Sequence, residues 1–188
     1  MKKVFRILLM AVAYLATFIL GAASGAIHPA FYAYIGAVLP LLTAFIYLYT
    51  CTFIRGFGAA TALNGFVLVL FLIAGEADVA FVIGIVALTA LSEIIRKSNG
   101  YETLKGVRWS FLPFALSFFT YTAHWWTDTE GSLAAAIEEM PAGYDELMRP
   151  VIDNVPVLII VLVSTIPISL LGMWIATSVL KKQAAELK

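Results

Sequence analysis

Long apolar stretches recur along this chain, and the short polar segments between them contain nearly all of its charged residues. A helix needs about 20 predominantly apolar residues to cross the hydrocarbon core of a bilayer. Six stretches approach this length and predict membrane-spanning helices at 4–23, 31–53, 58–75, 79–95, 109–126 and 156–180. We therefore predict an all-α membrane protein with one domain, 1–188, in which the fourth helix is the shortest.

The charges predict the direction of these helices, because Lys and Arg are retained on the cytoplasmic side of short loops. If both termini are cytoplasmic, 11 of the 12 basic residues fall inside: Lys2, Lys3, Arg6, Arg55, Arg96, Lys97, Lys105, Arg108, Lys181, Lys182 and Lys188. Nine of the 12 acids then fall outside: Glu76, Asp78, Asp128, Glu130, Glu138, Glu139, Asp145, Glu146 and Asp153. Only Arg149 is a basic residue on the outer side. This distribution predicts a multi-pass protein of a bacterial-type cytoplasmic (inner) membrane.

The composition argues against several classes of function. The formal net charge is +0, which gives a nucleic-acid partner no electrostatic support. The chain contains no G-x-x-x-x-G-K-[ST] phosphate loop and no Gly-x-Ser-x-Gly nucleophile motif, so we expect no enzymatic activity. A cleaved signal peptide is an alternative interpretation of the first apolar stretch, but that stretch is long enough to span the membrane.

The longest polar segment lies between the fifth and sixth predicted helices, at 127–155. Long loops in compact membrane proteins are commonly functional, as lids or binding loops. Apolar residues recur here at helical spacing on both sides of the Pro141–Gly143 break: Leu133, Ile137 and Met140 before it, then Tyr144, Leu147, Met148 and Val151. We predict two short amphipathic helices that lie over the outer opening of the helix bundle.

The end of the fifth helix concentrates the candidate ligand-binding residues. Trp125 and Trp126 are typical of the aromatic belt at a membrane surface, which needs no ligand. The alternative is that they form the wall of a pocket together with Tyr121 and His124, which share a helical face. The remaining candidates are Met140 and Tyr144 from the loop and the polar Asn64 within the third span.

Haem is one ligand that these residues suggest. His28 and His124 are the only histidines, and both fall on the predicted outer side, where they are candidates for axial ligation of a haem iron. The alternative is that His28 is an ordinary loop residue. A zinc or catalytic metal site is not expected, because no helical His-x-x-Glu-His or Glu-x-x-His pattern supplies ligands.

Several segments resemble the Trep_Strep family of small integral membrane proteins, which are regarded as S components of energy-coupling factor (ECF) transporters. They are "LIAGEADVAFVIGIVALTALSEIIRKSNGYETLKG", the loop from "HWW" through "GYDELM", and the last helix with "LLGMWIATSVLKK". The resemblance implies a subunit that captures a micronutrient at the outer face and topples in the bilayer beside a T subunit and two ATPase subunits. It also implies that small residues of the first helix, here Ala11, Ala13 and Ala16, contact the T subunit.

The substrate is then expected to be haem, another iron chelate or an aromatic vitamin precursor. Two other functions remain open. One is a self-sufficient oligomeric secondary carrier or channel, although Glu93 lies near a helix end, where pairing with Arg96 and Lys97 would explain it. The other is a structural membrane subunit whose tryptophans only anchor it.

Overall fold

The computed structural model describes residues 2–187, and these residues form helices and no strand. The α-helices of this part of the chain are α1 Lys2–Ala23, α2 Pro29–Tyr34, α3 Pro40–Phe53, α4 Ala59–Ala74, α5 Val79–Asn99, α6 Leu104–Ala115, α7 Ser117–Thr122, α8 His124–Thr127, α9 Thr129–Glu139, α10 Tyr144–Asp153, α11 Val155–Val179 and α12 Lys181–Ala185. Met1 and Lys188, the latter counted among the predicted inner charges, lie outside the described residues.

Three of these helices, α1, α5 and α11, are long and apolar enough to cross a membrane. A fourth span exists if the segments at 29–37 and 40–53, which are bent by 42°, are counted as one. Helix α4 is apolar but shorter, and the predicted fifth span is divided among α6, α7 and α8. Length and composition thus support three or four spans, with α4 and α6–α8 as further candidates.

The prediction that the fourth span is the shortest was wrong. Helix α5 has 21 residues and continues to Asn99, whereas α4 has only 16. The sequence pattern failed because Arg96 and the polar residues after it were assigned to a loop. Arg96 is buried inside the bundle instead.

Proline divides the second predicted span. Pro40 is the first residue of α3, a position where its missing N–H group costs nothing. The chain before it forms α2 and a 3-10 turn at Ile35–Ala37, so the segment bends at the proline. In contrast, Pro167 lies within α11, which runs without interruption to Val179.

The two ends of the bundle differ in charge. One end, here called the basic end, holds Arg6, Arg55, Arg96 and Lys181, and the Arg6 guanidinium lies 5.3 Å from the centre of the Phe53 ring. The opposite end, here called the acidic end, holds Glu76, Asp78, Asp128 and Glu139. The short helices α2, α8, α9 and α10 all lie at the acidic end and form a cap there, whereas one short helix, α12, packs beside α3 at the basic end of the described residues.

Aromatic side chains fill the core between α1, α3 and α6. The Phe114 ring centre lies 4.9 Å from that of Tyr14 and 4.6 Å from that of Tyr47. Helix α11 closes one side of this core by packing on α3, with Gly172 directly against the backbone of Pro40. The absence of a side chain at Gly172 lets the two helix backbones approach closely.

Asn64, at the centre of the bundle, joins four helices through hydrogen bonds. Its Oδ1 accepts from the Tyr14 hydroxyl at 2.9 Å, and its Nδ2 donates to Thr89 Oγ1 at 2.8 Å and Ser117 Oγ at 3.0 Å. Asn64 is 1% exposed, so its amide is used within the fold. This explains a polar residue in an apolar span without a ligand.

Substituting Asn64 with leucine should destabilise the protein by about 1–2 kcal/mol, because three polar side chains lose a buried partner. Tyr14→Phe, which removes one of these hydrogen bonds, should cost about 1 kcal/mol or less. Thermal unfolding in detergent, followed by circular dichroism, measures both. Equal stability of Asn64→Leu and the unmodified protein would contradict this role.

Two buried charges on α5 hold the α3–α4 turn. The sequence predicted that Glu93 pairs with Arg96 and Lys97, and this was wrong. Its Oε1 accepts from the backbone N–H groups of Ala60 at 2.9 Å and Thr61 at 3.2 Å. These groups belong to the first turn of α4, whose N-cap, Gly58, has no side chain to accept from them. A carboxylate is also the charge favoured by the positive N-terminal end of a helix dipole.

Arg96, one helical turn further along α5, donates hydrogen bonds to the end of α3. Its Nη2 donates to the carbonyl oxygens of Cys51 at 3.3 Å and Ile54 at 2.7 Å, at the end of α3. Further donations reach the carbonyls of Gly56, at 3.4 Å, and Tyr101. Positive charge is favoured at the C-terminal end of a helix, so Glu93 and Arg96 each match the helix end that they contact.

Candidate functional site

A pocket of about 410 Å³ opens at the acidic end, between α2, the loop from Gly75 to Asp78, α7, α8 and α9. Tyr121, His124 and Trp125 come from the consecutive helices α7 and α8, and Ala123 between them keeps right-handed helical dihedral angles (φ −61°, ψ −27°). Their side chains therefore follow one another along the chain and line the same cavity. Helix α9 follows at once and covers one side of the cavity.

Aromatic rings form one wall of this pocket. The Tyr32 ring is nearly perpendicular to that of Tyr121, with centres 6.1 Å apart, and to that of Trp125, with centres 6.2 Å apart. The His124 and Trp125 ring centres lie 4.8 Å apart. Edge-to-face contacts of this kind are a preferred arrangement of aromatic side chains and hold the wall in place.

The ring of His124 has a polar neighbour at each nitrogen. Nδ1 lies 2.8 Å from Ser132 Oγ, which is also 3.1 Å from the backbone carbonyl oxygen of His124. Nε2 lies 3.5 Å from the Tyr32 hydroxyl. The tautomer of the imidazole sets which of these nitrogens donates and which accepts.

Four carboxylates, from Glu76, Asp78, Asp128 and Glu139, also line the pocket. Asp78 caps α5 by accepting from the Phe81 N–H at 2.7 Å, and Asp128 caps α9 by accepting from the Gly131 N–H at 3.3 Å. Each cap uses one oxygen and leaves the second for another partner. The Glu76 and Glu139 side chains are exposed at the pocket rim.

Helices α9 and α10 cover the pocket region by packing on the aromatic wall. Trp125, Leu133, Met148 and Ile152 form a second buried cluster with Tyr32, separate from the main core. Two hydrogen bonds to α10 reinforce it, from Tyr34 to the Val151 carbonyl and from Trp126 Nε1 to the Ile152 carbonyl.

The predicted apolar face of these two helices needs correction. Ile137 is 65% exposed and Leu147 is 53% exposed, although both were assigned to the buried face. The residues buried in their place are Ala136 and Ile152. The simple helical spacing failed for α9 because this helix contacts the bundle through Ser132, Leu133 and Ala136, and Ile137 lies beside this face rather than on it.

Two buried donors in this region have no hydrogen-bond partner among the described residues. They are the indole N–H of Trp125, which lines the pocket, and the hydroxyl of Tyr144. Burial raises the pKa of Tyr144, so its hydroxyl keeps the proton at neutral pH. Unpaired buried donors are costly, and a ligand acceptor or an ordered water would satisfy them.

The structure brings together only some of the residues that the sequence selected. Tyr121, His124, Trp125 and Met140 line the pocket. Trp126 instead contacts α10, Tyr144 lies in the second buried cluster, and Asn64 belongs to the core network. His28 lines a different cavity, beside Tyr34 and Pro150, and its Nδ1 caps α2 by accepting from the Ala30 N–H.

Because the two histidines line different cavities, they do not converge as paired axial ligands, and this corrects the haem arrangement considered from the sequence. The sequence interpretation also missed Tyr32, Glu76, Asp78, Asp128 and Glu139 as pocket residues. The predicted topology placed the four acids on the same side as His124, so this part of the signal was present in the sequence.

A larger cavity of about 490 Å³ lies between α4 and α5, towards the basic end. Its lining combines apolar residues such as Leu68 and Ile85 with polar ones, among them Asn64 and Thr89, so Asn64 borders this cavity as well as the core network. Asn64 and Thr89 already bond each other, whereas the acidic-end pocket has a buried donor, the Trp125 N–H, without a partner among the described residues. We therefore take the acidic-end pocket as the candidate site.

The small residues of α1 are divided between the interior and the surface. Ala11 is 3% exposed and packs in the main core, so it cannot contact a partner as expected. It shares the inward face of α1 with Tyr14 and Phe18. Ala16 is exposed and Ala13 is half-buried, so these two remain on the accessible side.

The comparison with protein families adds an independent observation. The family model described as hypothetical bacterial integral membrane protein (Trep_Strep) matches residues 1–185. The chain belongs to the Trep_Strep family. This Trep_Strep protein is accordingly a multi-pass integral membrane protein with several apolar helices. No curated protein and no solved structure matches the chain.

Proposed function

We propose that this Trep_Strep protein is the substrate-binding S component of an ECF-type importer. In this proposal six helices cross the cytoplasmic membrane, with the broken segments α2–α3 and α6–α8 each counted as one span. The basic end faces the cytoplasm, in agreement with the retention of Lys and Arg on that side. The acidic end, with the candidate pocket, then faces outward.

The observation that carries the proposal is the pocket beneath α9. It combines an aromatic wall with a few placed polar groups, which is typical of sites for small organic molecules. Its position at one end of the bundle suits a protein that captures a substrate from the outside. Helices α9 and α10 are placed to act as its cover.

The proposed partners are a T subunit and two ATPase subunits. The chain contains no phosphate-binding loop of its own, so the energy for transport would come from these ATPases, and we propose no enzymatic role for the chain itself. The exposed small residues of α1, Ala13 and Ala16, are the proposed contact with the T subunit, since small residues allow helices to approach closely in a membrane.

An aromatic vitamin precursor is the substrate class that the pocket supports best. The rings of Tyr32, Tyr121 and Trp125 offer edges and faces for stacking on a flat ligand. Haem has weaker support, because only His124 of the two histidines lines the pocket. An absorption spectrum of the purified protein distinguishes them, since bound haem would give a Soret band that His124→Ala removes.

Co-expression with the T and ATPase subunits of an ECF module tests the proposal. We expect the protein to co-purify with the module and Ala16→Trp to reduce the recovered complex by about tenfold, because a large side chain would separate the helices. Ala87→Trp, at an exposed position on α5, is the matched control and should leave recovery unchanged.

Three results would argue against an S component. Failure to associate with any ECF module would remove the proposal. Substrate uptake by proteoliposomes that contain this protein alone, without ATP, would favour the self-sufficient carrier or channel. Unchanged transport by a parent complex in which His124 and Trp125 are both replaced by alanine would favour a structural subunit.

A further inference from the structure

The pocket at the acidic end has a one-sided charge. Four of its lining residues are carboxylates, and none of its described lining residues is Lys or Arg. Arg149, the one basic residue of the predicted outer side, lies elsewhere and has its guanidinium 3.7 Å from Glu130. A ligand in the pocket therefore experiences negative potential from several directions without a compensating positive group.

The carboxylate oxygens of the pocket accept hydrogen bonds. Asp78 and Asp128 each use one carboxylate oxygen for a helix cap and offer the other. These oxygens favour a ligand that donates hydrogen bonds. The Trp125 N–H is the buried donor at this site, and an ordered water or an acceptor on the ligand would satisfy it.

The aromatic wall also suits positive charge. Aromatic faces attract cations, and several rings around one site form the usual recognition site for alkylated ammonium groups. Tyr32, Tyr121 and Trp125 line one side of the pocket, and the Tyr32 ring centre lies 6.1 Å from that of Tyr121 and 6.2 Å from that of Trp125. These rings provide an apolar surface for the organic part of a ligand. A small hydrated metal ion has no such part and would not need this surface.

We propose that this pocket selects a small organic cation, with its ring or alkylated nitrogen against Tyr32, Tyr121 and Trp125 and its charge towards the four carboxylates. This inference depends on the proposed function in one respect: the ligand is a transported substrate only if the protein is an S component. It also accounts for the weak support for haem, because the propionates of haem would meet the same carboxylates.

A direct test compares two probes of similar size and opposite charge on the full-length protein purified in detergent. Benzyltrimethylammonium should raise the thermal unfolding temperature and bind measurably by isothermal titration, whereas benzenesulfonate should bind at least tenfold more weakly. Binding of the cation should weaken as salt concentration rises, because Glu76 and Glu139 at the rim are exposed to the solvent.

Charge variants locate the effect. The double variant Glu76→Gln/Glu139→Gln keeps the size of both side chains, and neither residue caps a helix. It should weaken cation binding by roughly tenfold, at about three- to fivefold per carboxylate. The control Glu138→Gln/Asp153→Asn removes the same charge from exposed positions of α9 and α10 outside this pocket, and should change binding by less than about twofold.

Two results would overturn the inference. In one, the cation binds no more tightly than the sulfonate; in the other, both double variants change binding equally. Neither measurement uses a partner subunit, so their outcome is separate from the co-purification test. Co-purification without cation preference would leave an S component with a different substrate, and cation binding without co-purification would leave a binding protein that is not an S component.

Discussion

Replacing Arg96 with leucine should lower the free energy of unfolding by about 3–5 kcal/mol, the largest effect expected for a single substitution in this protein. Arg96 is 0% exposed, and its guanidinium is the hydrogen-bond donor for carbonyl oxygens at the end of α3, at Gly56 in the α3–α4 turn and at Tyr101 in the α5–α6 turn. Leucine fills part of the volume but leaves these oxygens unpaired in the interior, each at a cost of about 1–3 kcal/mol.

Chemical labelling of Cys51 measures the effect of the Arg96→Leu substitution. This residue is the only cysteine of the chain, it is fully buried, and its own carbonyl accepts from Arg96. The rate at which a thiol-reactive fluorescent dye labels Cys51 in detergent should therefore rise sharply in Arg96→Leu. Circular dichroism melting of the same sample shows whether the loss is local or global.

Two other variants make this prediction specific. Arg96→Lys keeps the charge but not the fork of five N–H donors, so its stability should lie between those of the leucine variant and the unmodified protein. Arg55→Leu removes an exposed ion pair with Glu186 and should cost about 0–1 kcal/mol. Similar unfolding temperatures for Arg55→Leu and Arg96→Leu would show that the buried contacts of Arg96 contribute little.

The apolar stretches of the sequence were informative because lipid requires a backbone to satisfy its own hydrogen bonds, and helices do so. This requirement makes α1, α5 and α11 visible as long hydrophobic runs. It does not reveal where a helix continues through polar residues that the bundle buries. Arg96 lies in such an extension of α5, and the contacts of Glu93 and Arg96 with α4 and α3 depend on residues about 30 to 45 positions away.

The pocket could be predicted only in part for a related reason. Tyr121, His124 and Trp125 are close in sequence, so one helical segment was enough to group them. Tyr32 joins them through a contact between residues 92 positions apart, which no local pattern indicates. Trp126, next to Trp125, turns towards α10, because neighbouring residues on a helix point in different directions.

The positions of His28 and of the pocket acids also depended on features of the fold that no local sequence pattern indicates. His28 lies at the start of α2, and the bend before α3 places it beside α10 instead of beside His124. The acids of the pocket were visible in the sequence, but their convergence on the aromatic wall required the fold of the loop from Gly75 to Asp78.

Replacing Gly172 with valine should destabilise the protein by about 3 kcal/mol, the second largest effect expected. A Cβ atom at this position would lie 2.6 Å from the Pro40 carbonyl oxygen and 3.2 Å from Leu41 Cα. These are backbone atoms at the start of α3, so no side chain can move aside. The substitution would force α11 away from α3, and these helices form one of the most extensive contacts in the bundle.

Gly65 is the matched control, because it is also a glycine within an apolar helix, but a Cβ atom added there would have no neighbouring atom within 4 Å. Gly65→Val should change stability by no more than about 0.5 kcal/mol, since valine is at least as favourable as glycine within a helix. Thermal unfolding of both variants in the same detergent provides the comparison. If they unfold at the same temperature, close packing of α11 on α3 is not a main source of stability, and glycine at 172 would need another explanation.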